Sequence, residues 1–200
     1  MAVVESRIEC VVLAAGSSER LGQSKVLVNI GEDTLVGWIV RRLVAQGLSP
    51  VVVTRSEIEG EVVEATPSCE VLVNPNPDAG RTGTLQVGIA NLDVVTGHGY
   101  RLLVVPVDRP GFSDSTLSRL VSSERTCCPM KDGRGGHPLV LSADDVDGIR
   151  TASPDVPLRN LVKPFRFEVG DPHLHLNIDS PVDLIGLTDS LGTYEGWIDE

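Results

Sequence analysis

The stretch Leu13-Ala14-Ala15-Gly16-Ser17-Ser18-Glu19-Arg20-Leu21-Gly22-Gln23-Ser24-Lys25 sets two cations five residues apart in a loop whose mouth is built from small residues. Small residues let a backbone approach a ligand closely, and N–H groups exposed there can cradle phosphate oxygens. Arg20 offers a forked donor and Lys25 a point charge, two complementary ways of neutralising a polyphosphate. Gly22 is followed by Gln23-Ser24-Lys25, so this is not a Walker A loop, and the stretch contains no G-x-G-x-x-G dinucleotide fingerprint. On physics alone it reads either as a surface turn before a helix or as a generic anion site. Two acidic positions stand far from it in the chain. Asp108 follows the apolar run Arg101 to Val107, where an open α/β sheet places its ligands, and it could equally cap the next turn. Asn177 and Asp179 are two residues apart on an expected strand, which would turn both to one side.

These residues need a frame to bring them together. Ile8 to Ala14 is a short apolar run ending at Gly16, suited to a buried strand. Asp33 or Thr34 can cap a helix over about 35–46, with Val36, Ile39, Val40, Leu43 and Val44 on one face, and Gly47 stops it. Val51 to Val53, Val71 to Val73 and Arg101 to Val107 read as strands, Thr84 to Leu92 as a helix, and Ser113 as the cap of a helix reaching about Val121. Further strands are expected at Leu139–Leu141, Phe165–Phe167 and Leu174–Leu176. Helices are expected near 144–150 and 158–161, and a last one over about 182–191 after Pro181. Alternating β-branched runs and amphipathic segments predict an α/β fold: three layers, Rossmann-like, with a mainly parallel sheet and helices on both faces. One domain over residues 1–200 is expected, with a catalytic α/β half to about residue 125 and a more irregular substrate-binding half after it.

Composition narrows the partners. The 200 residues carry 17 basic and 28 acidic side chains, a formal charge of −11, which disfavours a nucleic-acid surface. A few well-placed cations still suffice to attract an anionic small molecule. The apolar runs are far short of the roughly 20 residues of a membrane span, and the N-terminus shows no secretory pattern, so a cytoplasmic protein is expected. The 4 cysteines lack zinc-site spacing, and Cys10 reads as a buried apolar side chain. His173 and His175 have no third ligand at a suitable spacing, and Trp38 and Trp197 read as packing residues.

The segment Leu13-Ala14-Ala15-Gly16-x-Ser18-x-Arg20-x-Gly22-x-x-Lys25 resembles the L-A-A-G-x-S-x-R-x-G-x-x-K signature of nucleotidyltransferases. The chain is most similar to the MobA/MocA-like branch, which includes the molybdenum-cofactor cytidylyl- and guanylyltransferases. The resemblance implies a fold of the nucleotide-diphospho-sugar transferase type. It implies that Leu13, Ala14, Ala15, Gly16, Ser18, Arg20 and Lys25 grip a triphosphate, with Arg20 and Lys25 stabilising charge at the reacting phosphate. Asp108-Arg109-Pro110 is similar to the family's D-x-P, so Asp108 is implied as a catalytic metal ligand. Arg109 departs from the usual Gln or Met and is expected either to contact phosphate or to face solvent.

Asn177-Ile178-Asp179-Ser180-Pro181-Val182-Asp183-Leu184 is similar to the closing D/N-x-D-T-P-E-D-L motif. The resemblance implies Asp179 as the second carboxylate on Mg2+, Asn177 as a neutral oxygen ligand or orienting group, and Asp183 as a structural residue in a helix's first turn. Asn74, Gly80, Thr82 and Thr84 match the base-reading segment in kind, and Thr82 or Thr84 would also cap a helix. Arg81 is an added cation there. Gly136 and His137 resemble the family's R-x-G-H-P acceptor loop. The implied activity is transfer of CMP or GMP from CTP or GTP to a phosphorylated acceptor. Molybdopterin stands ahead of other phosphates, such as sugar 1-phosphates, and CTP slightly ahead of GTP. A non-catalytic nucleotide-binding module is the rival reading.

Overall fold

The computed structural model describes residues 7–16, 24–179 and 183. In chain order its first elements are β1 (Ile8–Leu13), a ribbon of β2 (Asn29–Ile30) and β3 (Asp33–Thr34), α1 (Leu35–Ala45), β4 (Pro50–Thr54), α2 (Glu59–Ala65) and β5 (Glu70–Val73). There follow α3 (Arg81–Thr96), β6 (Arg101–Pro106), α4 (Asp114–Val121), β7 (Cys127–Lys131), β8 (Arg134–Gly135) and β9 (Leu139–Leu141). The last are α5 (Ala143–Thr151), α6 (Leu158–Leu161) and β10 (Phe165–Glu168). The expected helix after Pro181 and Trp197 lie outside the described residues, apart from Asp183.

One mixed sheet runs in the order β10-β7-β9-β6-β1-β4-β5, with β8 pairing β7. β1, β4, β5 and β6 are parallel, β10 is parallel to β7, and β9 runs against both β6 and β7. The expected α/β, Rossmann-like sheet is the observed one. From Cys10 to Leu13 strand β1 is apolar, as a strand covered on both faces must be, while Glu9 near its start pairs with Arg7. Cys10 and Val12 pack under α1, α2 and α4, while Val11 and Leu13 pack against α3 and α5. Gly88 lets α3 lie close to the sheet, since a Cβ there would stand 2.8 Å from Val11 Cγ2.

Capping follows the sequence at several ends. The Thr34 side chain accepts from Gly37 N at 3.2 Å, Ser113 from Thr116 N, and Ser142 from Asp145 N. Each such cap is worth about 1 kcal/mol. α3 differs. It begins at Arg81 behind Gly80, whose φ of 95° suits glycine, so neither Thr82 nor Thr84 is its cap. Both threonines sit inside its first turn, and the helix extends to Thr96.

The segment around Leu174–Leu176 is a second correction. It is a turn, not a strand. Its apolar residues alternate because they plug a neighbouring loop, not because they pair in a ladder. A Cβ on Gly111 would lie 1.7 Å from His173 O, and one on Gly136 would lie 2.7 Å from Leu174 Cγ, so glycine at both places lets this turn seat itself. Buried Asp171 accepts from Ser113 Oγ at 2.7 Å and from Ser113 N at 3.0 Å. Ile178 N donates to Asp108 O at 3.0 Å. The chain leading to Asp179 is therefore bonded directly to the loop after β6.

Candidate functional site

The strand order places the site. The chain leaves β1 to add β4 and β5 on one side, then returns to add β6 on the other. Loops leaving the carboxyl ends of β1 and β6 diverge at that crossover and leave a crevice, the usual ligand position in open α/β sheets. Ala14 N bonds Val53 O at 2.8 Å and Val107 N bonds Leu13 O at 3.1 Å, which hold the mouth of the crevice on both sides. Gly16 is exposed, with open space where a Cβ would stand.

Lys25 opens a single 3-10 turn, Lys25–Leu27, anchored by buried Val26. Its Nζ lies 3.5 Å from Asp108 Oδ2 and 3.1 Å from Asp179 Oδ1. Arg81 Nη2 reaches the same Asp108 oxygen at 3.1 Å. Cations and carboxylates from four remote segments thus meet at one point. Asn177 Nδ2 contacts Asp179 Oδ2, and the buried Asn177 Oδ1 has no hydrogen-bond partner. Asn177 and Asp179 lie in irregular chain after the 172–175 turn and not in a strand. Asp183 accepts from Asp179 N at 3.1 Å, a structural contact. Ser18 and Arg20 lie outside the described residues.

Two cavities open on this point. The smaller, about 240 Å³, is lined by Leu13, Ala15, Gly16, Lys25, Thr84 and Asp108 among others. The larger, about 720 Å³, is lined by Gly136, His137, Val104, Leu139, Val156 and Val162 among others, a size in the range of small-molecule sites. Leu13, Gly80, Arg81 and Pro106 border both. Asn74 donates from Nδ2 to Thr84 Oγ1 at 3.0 Å and accepts from Asn76 N at 2.9 Å; Thr84 Oγ1 in turn donates to Gly80 O. Thr82 Oγ1 donates to Val156 O at 2.6 Å. Thr82 lines the larger cavity and Thr84 the smaller, each with its hydroxyl already engaged, while Asn74 lines neither and braces Thr84 from behind.

His137 lies beside the point where the cavities meet. Burial, then the charges of Arg81 and Arg109, press its pKa down to about 4, so it is neutral near pH 7. Its Nδ1 is buried and unpartnered. Arg109 is turned inward: burial lowers its pKa, Asp108 and Asp179 act to raise it, and its buried Nε has no partner. Cys128 lines the larger cleft, its thiol pushed up mainly by burial, and all four cysteines are free. Among the described residues no group of three or more His, Cys, Asp or Glu side chains could hold a metal, so His173 and His175 form no such site. His175 Nε2 instead bonds Lys131 O at 3.0 Å.

Sequence reasoning missed Arg159, Lys163 and Arg166, which line the larger cleft. Their signal was present as three cations within eight residues of an acidic chain.

An open, mainly parallel sheet with charged side chains gathered at its crossover defines a ligand-binding α/β protein of the Rossmann-like kind. Residues 10–171 match the family described as MobA-like NTP transferase domain, and the chain belongs to that family. The molybdenum cofactor guanylyltransferase of Xanthomonas euvesicatoria pv. vesicatoria (strain 85-10) is 32% identical over 123 residues, 61% of this chain and 58% of that protein. The chain thus spans little more than half the length of that relative. A nucleotidyl transferase from Methanothermobacter thermautotroptrophicus has the same fold at 24% identity and a TM-score of 0.75, over 94% of this chain and 99% of that one. So does Rv0371c of Mycobacterium tuberculosis H37Rv, solved as a manganese complex, at 21% identity and a TM-score of 0.70, over 92% of this chain and 100% of that one.

Among the described residues no helix is long and apolar enough to cross a membrane.

Proposed function

We propose that the chain is a divalent-metal-dependent nucleotidyltransferase that moves CMP or GMP from CTP or GTP to a phosphorylated acceptor and releases pyrophosphate. Molybdopterin is the first acceptor to test, because the curated relative is named for that cofactor. One observation carries the reading: Asp108 and Asp179, 71 positions apart, share the ammonium of Lys25 at the mouth of the β1 loop.

The donor set suits a hard cation. Two carboxylates turned to one positive charge, with an unpartnered amide oxygen on Asn177 beside them, are oxygen ligands of the kind magnesium takes while keeping several waters. Magnesium held by Asp108 and Asp179 would supply charge at the α-phosphate. Lys25, with Arg20 of the same loop, binds the β- and γ-phosphates, while the small side chains of Ala14, Ala15, Gly16 and Ser18, following Leu13, let the backbone close on them. Asn74, Thr82 and Thr84 hold Gly80 and the start of α3 in place for the nucleotide. Arg81 stands at the border of the two cavities, where it can orient the incoming phosphate against the α-phosphorus.

The attacking oxygen belongs to the acceptor's own phosphate. That group is already largely ionised near neutral pH, with a second pKa of about 6, so no general base is needed. A neutral His137 agrees with this and serves with Gly136 as an acceptor contact rather than a proton carrier. The oxygen attacks in line, the bond between the α-phosphorus and the bridging oxygen breaks, and pyrophosphate leaves.

The test is pyrophosphate release with magnesium, CTP or GTP, and one acceptor at a time. Turnover that needs metal, nucleotide and acceptor together is the expected result. Tight nucleotide binding with no turnover on molybdopterin or on any sugar phosphate would favour a binding module.

A further inference from the structure

The cations of this acidic protein are satisfied very unevenly. Every described cation before Asp108 has a carboxylate within 4.0 Å: Arg7, Lys25, Arg41, Arg42, Arg55, Arg81 and Arg101. Beyond Asp108 only Arg150 has one among the described residues. Some of the others find different partners. Arg119 and Arg125 lie over the rings of Phe167 and Phe165, and Lys131 donates to Asp171 O. Arg159, Lys163 and Arg166 have neither a carboxylate nor a hydrogen bond among the described residues, and all three line the larger cleft. A protein with 28 acidic side chains has ample means to pair them. The one carboxylate lining that cleft, Asp155, is turned to Ser153 Oγ at 2.5 Å.

Arg166 is remote from the reacting end, and Arg159 and Lys163 line the same cleft. Arg166 lies on β10, four strand steps from Leu13 on β1 along the sheet order, or roughly 19 Å at ordinary strand spacing. Arg81 marks the near end, bordering both cavities beside Asp108. Between the ends the wall is apolar: Val104, Leu139, Val156 and Val162. We infer that the larger cleft takes an acceptor with an anionic group at each end of an apolar body. The phosphate that reacts sits by Arg81, and a second anion, carboxylate or phosphate, meets Arg159, Lys163 and Arg166. The inference rests on the transferase reading only for the identity of the near anion as the reacting one.

Two compounds that differ in the far group alone test it: biphenyl-4-yl phosphate and 4′-carboxybiphenyl-4-yl phosphate, titrated calorimetrically into the whole protein. The carboxylated compound should bind about tenfold tighter, the scale of one anion meeting two or three exposed cations. That preference should vanish in the Arg159→Gln, Lys163→Gln, Arg166→Gln triple variant, whose affinity for CTP or GTP should stay within about twofold of wild type as the check on folding. Equal affinity for the two compounds, binding of neither, or a preference that survives the triple substitution would overturn the inference. Turnover on a phosphorylated acceptor with no such preference would leave the transferase reading standing while this one falls. The preference without any turnover would support the cleft's charge selectivity and count against transfer.

Discussion

Two compartments share a wall and treat charge in opposite ways. In the smaller one, Lys25 and Arg81 are already matched by Asp108 and Asp179. In the larger one, Arg159, Lys163 and Arg166 face a cleft and have no carboxylate partner among the described residues. A matched set of cations and anions is held in place before any ligand arrives; on the proposed reading a polyphosphate would take over the cations and its divalent metal the carboxylates. An unmatched set attracts an anion and has nothing to exchange for it. On the proposed reading, the contrast separates a compartment organised for chemistry from one organised for selection.

The largest break in that contrast should come from Asp108→Ala. Removing this carboxylate leaves Lys25 and Arg81 facing each other and takes away one proposed metal oxygen. Transfer should fall by roughly 100- to 1,000-fold, the scale of deleting a group that stabilises transition-state charge. The backbone bond from Ile178 N to Asp108 O does not depend on the side chain, so far-UV circular dichroism should be unchanged. Near-normal turnover at saturating magnesium would remove Asp108 from the metal site. Lys25→Ala should cost less, roughly 10- to 100-fold in kcat/KM for the nucleotide, while the acceptor KM moves little. Equal losses for both substrates would mean that the loop had collapsed, and the two compartments would then not be separable.

Asp171→Ala tests how the smaller compartment is assembled. Asp171 lines neither of these two cavities, yet it receives two hydrogen bonds from Ser113 and fixes the turn that leads to Asp179. Losing a buried carboxylate with two donors should cost about 2–3 kcal/mol of stability by denaturant unfolding. The nucleotide kcat/KM should drop further than carboxylated-probe binding in the larger cleft. A loss of stability with both functions intact would make Asp171 a purely structural residue.

The legibility of the molecule in its sequence follows the same division. Buried strands and capped helices are local matters, so Ile8–Leu13, the Thr34 cap and the Ser113 cap could be read from short windows. Asp108 stands just past the carboxyl end of β6 and Lys25 opens a 3-10 turn beyond the β1 loop; the strands left both readings open, and it was the resemblance of the two motifs that pointed to these residues. Helix α2 escaped because only Val62 of its seven residues is buried, which leaves no apolar stripe to detect. Strand β7 was hidden by its Cys127-Cys128-Pro129 run, which looks like neither period. The 171–179 turn was misread because Leu174 and Ile178 are buried by tertiary contacts with Gly136 and Asp108, and such contacts can imitate strand alternation. Arg159, Lys163 and Arg166 stand close together in the sequence, but only the fold brings α6 and β10 to one cleft and gives the three a common target.

The smallest effect expected is also the most direct reading of the field in the larger compartment. His137 has a folded pKa of about 4 against 6.5 in the open chain, so the unfolded state binds its proton first as pH falls. Stability therefore declines on acidification: nothing is lost at pH 7, and about 2 kcal/mol is lost by pH 5, from this group alone. His137→Gln should remove that part of the acid sensitivity in unfolding curves taken between pH 7 and 5. Burial is the first cause of the depressed pKa, and the charges of Arg81 and Arg109 come next. Arg109→Gln should then raise the His137 pKa when followed by ring-proton NMR, with His98 unmoved as the internal reference. A His137 pKa indifferent to Arg109 would mean that burial alone keeps the ring neutral, and that the positive field across the wall between the compartments ends short of it.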